Sequence, residues 1–269
     1  MLTRNAFAAR FATRALFGMV HLRALPGAPL FEGSLDAVIE AALADARALA
    51  GGGADGFVVE NFGDRPFGKK AGAETIAAMT RVIAELARAA TLPFGVNVLR
   101  NDAGAALAIA AATGAAFIRV NVHAGVYVAD QGILEGEAAE TMRQRASLCP
   151  HVFVFADHLV KHAAPLVPVD EIQSGRDLRF RALADAIVVS GAETGAPADP
   201  ERLRRLREAL PEAPLLVGSG LTPENAARFA DADAAIAGTG IKRDGAVEAP
   251  VERERVERLV QAFKQRGGR

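Results

Sequence analysis

Two glycine-rich segments near the C-terminal end of the sequence combine features that bind anions. The first reads Val217-Gly218-Ser219-Gly220 and the second Ala237-Gly238-Thr239-Gly240, and each directly follows a short apolar run. Glycines at such positions let backbone N–H groups approach an anion without a Cβ in the way. Thr222 is a good N-cap and proline follows it, so the spacing also predicts a helix whose positive end points at the same place.

Polar side chains at the ends of other apolar runs have the chemistry for proton transfer. The predicted catalytic group consists of His21, Glu60, Asn97, Asn121, His123 and Asp157. Imidazole titrates near neutral pH, so His21 and His123 are candidates for a general acid and a general base. The same histidines and the two carboxylates are an alternative set of ligands for a divalent metal. Because the sequence has no closely spaced pair of ligands, the metal is the less favoured interpretation and no cofactor is predicted.

Further polar residues near these positions are predicted to contact the ligand: Asn61, Arg100, Lys161 and Ser190. Contact with a phosphate group is the ordinary role of cations such as Arg100 and Lys161. Lys161 also raises the idea of a Schiff base, but it comes four residues after Asp157, beyond the end of the predicted strand. A lysine without a buried position has no reason for a lowered pKa, so the phosphate contact is favoured.

The elements that position these residues alternate along the chain, because strand-like apolar runs are followed by alanine-rich helical stretches. Strands are predicted over residues 16–21, 56–60, 94–98, 117–122, 152–156, 186–190, 215–217 and 234–237. Helices are predicted over residues 35–50, 74–90, 103–113, 137–148, 178–184, 200–209, 223–230 and 251–264. Strict alternation of this kind favours a closed barrel over an open doubly wound sheet, and no Gly-x-Gly-x-x-Gly follows the first strand.

We therefore predict an α/β protein with a single-domain (β/α)8 TIM barrel over residues 16–269. Residues 1–15 are predicted to be an N-terminal extension or a short helix that closes the barrel. In such barrels the chemistry lies at the C-terminal ends of the strands, and phosphate sites are built after strands seven and eight. The two glycine-rich segments follow those strands, so Gly218, Ser219, Gly220, Gly238 and Thr239 are predicted to bind phosphate. A purely conformational need for glycine in two tight turns is the alternative.

In the fourth predicted strand, apolar and polar residues are divided most clearly between the two faces. Even-numbered positions in residues 118–122 are apolar, whereas Arg119, Asn121 and His123 share the opposite face. Polar groups inside a barrel cost free energy unless they are paired or meet a ligand. This pattern favours Asn121 and His123 as site residues, and it leaves open an ion pair between Arg119 and Glu60 or Asp157.

Motifs distributed between residues 18 and 245 carry a resemblance to a known family. They are the segments at 18–27, 59–64, 95–102, 117–123, 130–132, 155–157 and 160–162, together with the two glycine-rich segments. With these motifs the sequence resembles the BtpA family, which is named after a photosystem I biogenesis protein. The resemblance implies a TIM-type barrel. Since most relatives belong to organisms without photosynthesis, it also implies a more general metabolic activity.

Composition excludes several classes of partner. The chain has 269 residues with 31 basic and 32 acidic side chains, so its net charge of −1 favours neither nucleic acid nor an anionic membrane surface. No apolar run has the length of a membrane span. Cys149 is the only cysteine, which excludes an intramolecular disulfide and is typical of a cytoplasmic protein. Assembly into a homo-oligomer stays open.

The sequence thus predicts a cytoplasmic barrel that binds a small phosphorylated metabolite, a sugar phosphate or a phosphoribosyl compound. It would act on this ligand by acid–base chemistry, as a lyase, isomerase or hydrolase. A non-catalytic assembly factor of the photosystem I biogenesis type is the alternative. A nucleotide hydrolase is the weaker alternative, because the segment 63–69 nearly matches a P-loop but lacks Ser or Thr after Lys69. The inward polar residues favour the first interpretation, since an interaction module has no need of them.

Overall fold

Eight parallel strands form a closed barrel in a computed structural model of the protein, which describes residues 1–265. The barrel strands are β1 (Ala15–His21), β2 (Gly56–Glu60), β3 (Phe94–Asn97), β4 (Phe117–Val120), β7 (Phe153–His158), β9 (Ala186–Val189), β10 (Leu215–Val217) and β11 (Ala234–Ala237). Each strand pairs with its neighbours in sequence order, and the ring closes where β1 pairs with β11. The predicted (β/α)8 class is confirmed. Residues 266–269 of the predicted barrel segment lie outside the described residues.

Helices cover the outside of this barrel and one of its ends. They are α1 (Arg4–Phe11), α2 (Leu35–Gly51), α3 (Ala73–Ala89), α4 (Ala103–Thr113), α5 (Ala138–Leu148), α6 (Glu171–Arg176), α7 (Pro200–Ala209) and α8 (Arg253–Lys264). In α3 the buried residues Met79, Val82, Ile83 and Leu86 recur at helical spacing, which is the apolar face expected of a helix that packs on a sheet. No helix within residues 1–265 is both long and apolar enough to cross a membrane.

Two predicted helices differ from the structure. The helix predicted at 178–184 begins earlier as α6, where the Asp170 side chain accepts a hydrogen bond from Gln173 N, and it continues as a π-helical turn. The helix predicted at 223–230 is only a turn followed by a short 3-10 segment, Ala226–Phe229. Asn225 explains this difference, because its side chain accepts from Thr222 N and donates to Gly220 O. Thr222 therefore caps no α-helix.

The N-terminal ends of the strands meet a cluster of aromatic side chains. Phe7 and Phe11 of α1 are buried, and the Phe11 ring contacts four barrel phenylalanines with centroids 5.5–5.9 Å apart. Those partners are Phe17, Phe117, Phe153 and Phe155. Aromatic packing of this kind excludes water from the barrel interior near the N-terminal ends of the strands. The polar residues are therefore confined to the C-terminal ends.

A small antiparallel sheet lies beside the C-terminal ends of the strands, and sequence analysis did not predict it. It consists of β5 (Val126–Ala129), β6 (Gly132–Glu135) and β8 (Ala163–Pro165), with β5 in the middle. We call it the flap sheet. Tyr127 and Leu134 pack beneath it with Val122 and Val160, which fixes the sheet to the ends of β4 and β7.

Candidate functional site

The C-terminal ends of the barrel strands open into a cavity of about 780 Å³. This volume lies within the range typical of small-molecule sites. One side is formed by the turns after β10 and β11, which we call the glycine turns: Gly218, Ser219, Gly220, Gly238, Thr239 and Gly240. Another side, which we call the polar wall, consists of His21, Glu60, Arg100, Arg119, Asn121 and Lys161.

The glycine turns present unpaired backbone donors to the cavity. Within residues 1–265, the N–H groups of Ser219, Gly220, Thr239 and Gly240 donate to no protein acceptor. An unpaired backbone donor beside a cavity is available to a ligand, and several of them together form a concave anion-binding surface. The predicted helix dipole does not contribute, because the segment after Thr222 is a turn. Any attraction for an anion at the glycine turns would therefore come from the N–H groups themselves.

The glycines of these turns have different reasons to be glycine. Gly220 has φ +65°, and a Cβ there would lie 2.3 Å from the Pro197 backbone. A Cβ at Gly240 would lie 2.6 Å from Leu221 O. These two positions need glycine for packing and conformation alone. Gly238 is different, because its Cβ would meet only His21 Cε1, at 3.5 Å, and Met19, both of which line the cavity.

The hydroxyl groups of the two predicted serines contact neighbouring turns and loops. Ser219 Oγ accepts a hydrogen bond from Gly191 N and donates one to Ala196 O, so its hydroxyl connects the loops after β9 and β10. Ser190 Oγ is buried without a partner within the described residues, and a Cβ at Gly218 would lie 2.4 Å from it. Ser190 does not line the cavity, so the structure separates it from the predicted ligand contacts.

His21 and Glu60 form the centre of the polar wall. They end neighbouring strands in register, and His21 Nε2 lies 3.6 Å from Glu60 Oε1. Their side chains are 8% and 9% exposed. Burial, reinforced by the charge of Lys242, lowers the pKa of His21 well below its ordinary value. Burial raises the pKa of Glu60, although Arg119 and Lys161 oppose this change.

The tautomer of His21 follows from its other contact. Nδ1 lies 3.4 Å from Val247 O, and a carbonyl oxygen only accepts, so Nδ1 carries the proton. Nε2 is then the unprotonated nitrogen, and it faces the carboxyl group of Glu60. An unprotonated imidazole nitrogen is the form needed for a general base.

Asp157 forms a buried ion pair with Arg119. Its two carboxylate oxygens accept from Arg119 Nε at 3.0 Å and Arg119 Nη2 at 3.2 Å, and neither side chain is more than 2% exposed. Burial lowers the pKa of Arg119, but the carboxylates of Asp157 and Glu60 outweigh it and raise the pKa overall. The ion pair that sequence analysis left open is therefore present. Arg119 lines the cavity, whereas Asp157 lies behind it.

The predicted asparagines hold the polar wall in place. Asn121 Nδ2 donates to Asp157 Oδ2 at 2.8 Å, and Asn97 Nδ2 donates to Asn121 Oδ1 and to Arg119 O at 3.2 Å. Only Asn121 of these two lines the cavity. Asn61 fixes the backbone instead, because it accepts from Leu99 N at 2.7 Å and donates to Asp64.

The expectation that His123 faces the barrel mouth with His21 is wrong. Strand β4 ends at Val120, two residues earlier than predicted, because Val122 N leaves the ladder and donates to Asn101 Oδ1. The alternation of faces therefore stops before His123. Its ring turns outward and contacts Ala182 O at 3.0 Å. Burial lowers the pKa of His123.

Lys161 occupies a different environment from the one that the sequence predicted. It lines the cavity and is half-buried, and burial together with the charge of Arg119 lowers its pKa to about 8. Arg100, also on the polar wall, donates from Nη2 to Lys161 O at 2.6 Å. The argument that Lys161 lacks a buried position is therefore wrong, because the loop after β7 folds back over the barrel mouth.

Loops supply cavity residues that sequence analysis did not assign to the site. The Phe62 ring stacks on His21 with centroids 4.6 Å apart, and the Arg65 guanidinium lies 5.4 Å from the Phe62 centroid. The flap sheet and neighbouring loops add Asp130, Gln131, His162, Thr194 and Gly195. Loop residues have no periodicity that indicates where they point. The signal that was present lies in the motifs 59–64, 130–132 and 160–162, which carried part of the family resemblance.

The described residues contain no group of three or more His, Cys, Asp or Glu side chains arranged to hold a metal.

In the segment that nearly matches a P-loop, Gly68 O and Lys69 O accept hydrogen bonds from Arg100 N and Asn101 N. These carbonyl groups pair with the loop after β3.

The fold and the site define a (β/α)8 barrel whose cavity combines unpaired backbone N–H groups on one side with the buried pair His21 and Glu60 on another. The chain belongs to the BtpA family, whose model matches residues 12–265. It is 47% identical to an uncharacterised protein of Thermococcus kodakarensis, over 95% of this chain and 97% of that protein. It is 42% identical to the photosystem I biogenesis protein BtpA of Synechocystis, over 92% of this chain and 87% of that protein.

Solved structures share the fold at low identity. The phosphoribosyl anthranilate isomerase of Thermococcus kodakaraensis superposes with a TM-score of 0.56 and 16% identity, covering 93% of this chain and 98% of that one. At this identity the likeness establishes the barrel fold alone.

Proposed function

We propose that this protein binds a small phosphorylated metabolite, of the sugar phosphate or phosphoribosyl type, and transforms it by acid–base catalysis. One observation carries the proposal: unpaired N–H groups of the glycine turns share a single cavity with the buried pair His21 and Glu60. The first feature suits a phosphate group, and the second suits proton transfer at the other end of the same ligand.

The charges of the cavity support an anionic ligand. Arg100 and Lys161 are cationic side chains on its lining, and Arg65, which also lines it, pairs with Glu248. Arg119 has its charge balanced by Asp157, so it orients the polar wall. A phosphate at the glycine turns would be held by backbone donors and attracted by the remaining cations.

In this proposal Glu60 is the general acid and His21 the general base. Burial raises the pKa of Glu60, which keeps a proton on its carboxyl group at higher pH than usual. Burial lowers the pKa of His21, which keeps Nε2 unprotonated. The phosphoribosyl anthranilate isomerase is named for action on a phosphoribosyl compound, which is consistent with such a ligand although the likeness itself is one of fold.

The cavity does not suit the rival interpretation, a non-catalytic assembly factor. A protein that only presents a surface to partners gains nothing from burying His21 and Glu60 at the bottom of a concave site, and burying ionisable groups costs free energy. The Synechocystis relative is named for photosystem I biogenesis. A metabolic activity that supports this process is compatible with that name.

Phosphate binding is tested by following the backbone amides in ¹H–¹⁵N NMR spectra while inorganic phosphate is added at constant ionic strength. We expect the resonances of Ser219, Gly220, Thr239 and Gly240 to shift saturably, and those of remote helices such as α4 to stay in place. Chloride at the same ionic strength is the control. Unshifted amides at high phosphate concentration would remove the basis of the proposal.

Catalysis is tested by screening sugar phosphates and phosphoribosyl compounds for turnover, with their phosphate-free analogues as controls. Once a substrate is found, Glu60→Gln should abolish turnover while leaving inorganic phosphate binding intact. Full activity of this variant would exclude Glu60 as the acid.

A further inference from the structure

We infer that Lys161 forms a covalent imine with the carbonyl carbon of a phosphorylated aldehyde or ketone during the reaction. This inference rests on the proposed function and deepens it, because it names the chemical class of the substrate. It also revises the role of a phosphate contact that the sequence predicted for this residue.

Comparison with the other lysines distinguishes Lys161. Lys242 is buried, but it lies 3.7 Å from Asp45 and donates to Ala249 O, so its role is structural. Lys70 pairs with Glu137, and Lys264 donates to Asp55. Lys69 is exposed and lies outside the cavity lining. Within residues 1–265, Lys161 alone lines the cavity with an amine that has neither a hydrogen-bond partner nor an ion-pair partner.

The backbone around Lys161 is held firmly. Arg100 donates to Lys161 O at 2.6 Å, and His162 N donates to Ala192 O at 3.1 Å. Leu159 and His162 both adopt left-handed conformations, with φ of 51° and 56°, which residues other than glycine rarely take. An unusual backbone that surrounding contacts enforce is common where a side chain must be placed for function. Here it turns the chain so that Lys161 lines the cavity.

The charged neighbours of Lys161 suit an amine that must be neutral before reaction and cationic after it. Burial and the positive charges of Arg119 and Arg100 favour the neutral amine, while Glu60 and Asp157 oppose them. A pKa of about 8, in place of the ordinary 10.5, leaves roughly one amine in ten unprotonated at pH 7, about 300 times the ordinary fraction. A neutral amine is the nucleophile needed for attack on a carbonyl. The cationic imine that results lies near the same two carboxylates.

Groups of the polar wall supply the proton transfers that imine formation requires. The Nζ lone pair forms a bond to the carbonyl carbon, the C=O π electrons move to oxygen, and one Nζ proton passes to that oxygen. The Glu60 carboxyl then protonates the hydroxyl of this carbinolamine, and the C–O bond breaks to release water. The nitrogen lone pair forms the C=N bond, which leaves a protonated imine on Lys161 and a carboxylate on Glu60. The protonated imine draws electrons from the adjacent carbon, whose proton Glu60 or His21 Nε2 can then accept.

The position of Lys161 relative to the glycine turns suits a substrate that carries both a phosphate and a carbonyl group. Lys161 follows β7 and the first glycine turn follows β10, and only β9 lies between these strands in the barrel. Two inter-strand steps of roughly 4.8 Å separate the strand ends by roughly 10 Å. The side chain of Lys161 shortens this distance. A phosphate and a carbonyl separated by a few carbon atoms would therefore reach both places at once.

Pyridoxal 5′-phosphate is a suitable probe, because it is a phosphorylated aldehyde whose imine is coloured and can be fixed with borohydride. The full chain is incubated with the probe at pH 7 and reduced, and the labelled lysine is identified by peptide mapping. We expect labelling of Lys161 at least ten times faster than of Lys69. Lys161→Arg should remove this fast label, and the matched variant Lys69→Arg should retain it.

The controls separate this inference from the proposed function. Inorganic phosphate should slow the labelling of Lys161, and pyridoxal without its phosphate should label it more slowly. Equal labelling by the two aldehydes would support the imine and count against the phosphate site. Phosphate-dependent shifts of the glycine-turn amides without fast label on Lys161 would overturn the imine and leave the phosphate site standing. Label confined to Lys69 and Lys70, or no label, would likewise overturn the imine.

Discussion

His21 Nε2 lies 3.6 Å from Glu60 Oε1 because the two residues are register partners at the ends of the adjacent parallel strands β1 and β2. Parallel pairing in register brings residues that are distant in sequence to the same height of the barrel. Burial then shifts both groups toward their neutral forms. The proposed proton donor and acceptor thus lie beside the Gly238 backbone, and the predictions below test this arrangement and the residues that support it.

The role of Gly238 is tested by filling its cavity-facing side. Gly238→Ala would place a methyl group 3.5 Å from His21 Cε1 and close to Met19, both of which line the cavity. We expect phosphate affinity to fall at least tenfold and the free energy of unfolding to fall by about 1–3 kcal/mol. Phosphate titration by NMR and urea denaturation measure the two effects. The control Gly51→Ala, at the end of α2, should leave affinity unchanged. Equal affinity in both variants would locate the anion elsewhere.

The neutral state of His21 predicts a loss of stability in acid. Its folded pKa is lowered well below 6.5, so the unfolded chain takes up a proton as pH falls through 6.5 while the folded chain does not. The stability from this group is therefore present above pH 6.5 and is lost below it, at no more than about 1.4 kcal/mol per pH unit.

The measurement compares urea denaturation of wild type and His21→Gln between pH 7 and pH 5. The variant should decline less steeply than wild type, because it lacks the group that takes up the proton on unfolding. His151→Gln, at an exposed position, is the matched control and should follow the wild-type curve. Parallel curves for His21→Gln and wild type would show that His21 is protonated alike in both states.

The buried ion pair predicts that Asp157 supports the structure. Asp157→Asn would leave the Arg119 guanidinium buried without its partner charge, which costs about 3 kcal/mol of unfolding free energy. Glu248→Gln is the control, because it breaks an exposed ion pair with Arg65 and should cost less than about 1 kcal/mol. Both are measured by urea denaturation. If Asp157→Asn were as stable as its control, Asp157 would be free to act on the ligand.

The phenylalanine cluster predicts that α1 stabilises the barrel. Phe11→Ala would remove a buried ring that contacts five other phenylalanine rings, and we expect the free energy of unfolding to fall by about 3 kcal/mol or more. Phe180→Ala is the matched control, since that ring is 57% exposed and should contribute little. Thermal and urea denaturation report the difference. A small effect at Phe11 would mean that the barrel is stable without this helix.

Several features of the protein follow from the sequence alone. The apolar runs and the alanine-rich stretches between them predict the closed barrel, because strand and helix periodicity are local properties of the chain. The barrel in turn places His21 and Glu60 at one end, since parallel strands bring their C-terminal residues together. Glycine marks positions where a side chain does not fit, so the glycines within residues 218–220 and 238–240 identify the turns.

Only the tertiary structure decided where single side chains point once the strands end. His123 turns away from the cavity because Asn101 takes the Val122 N–H and ends the strand early. The helix predicted after Thr222 is a turn because the Asn225 side chain bonds the backbone there. Lys161 reaches the cavity because contacts from distant loops fold its segment back. Each of these outcomes depends on a hydrogen bond or a packing contact that local periodicity does not encode.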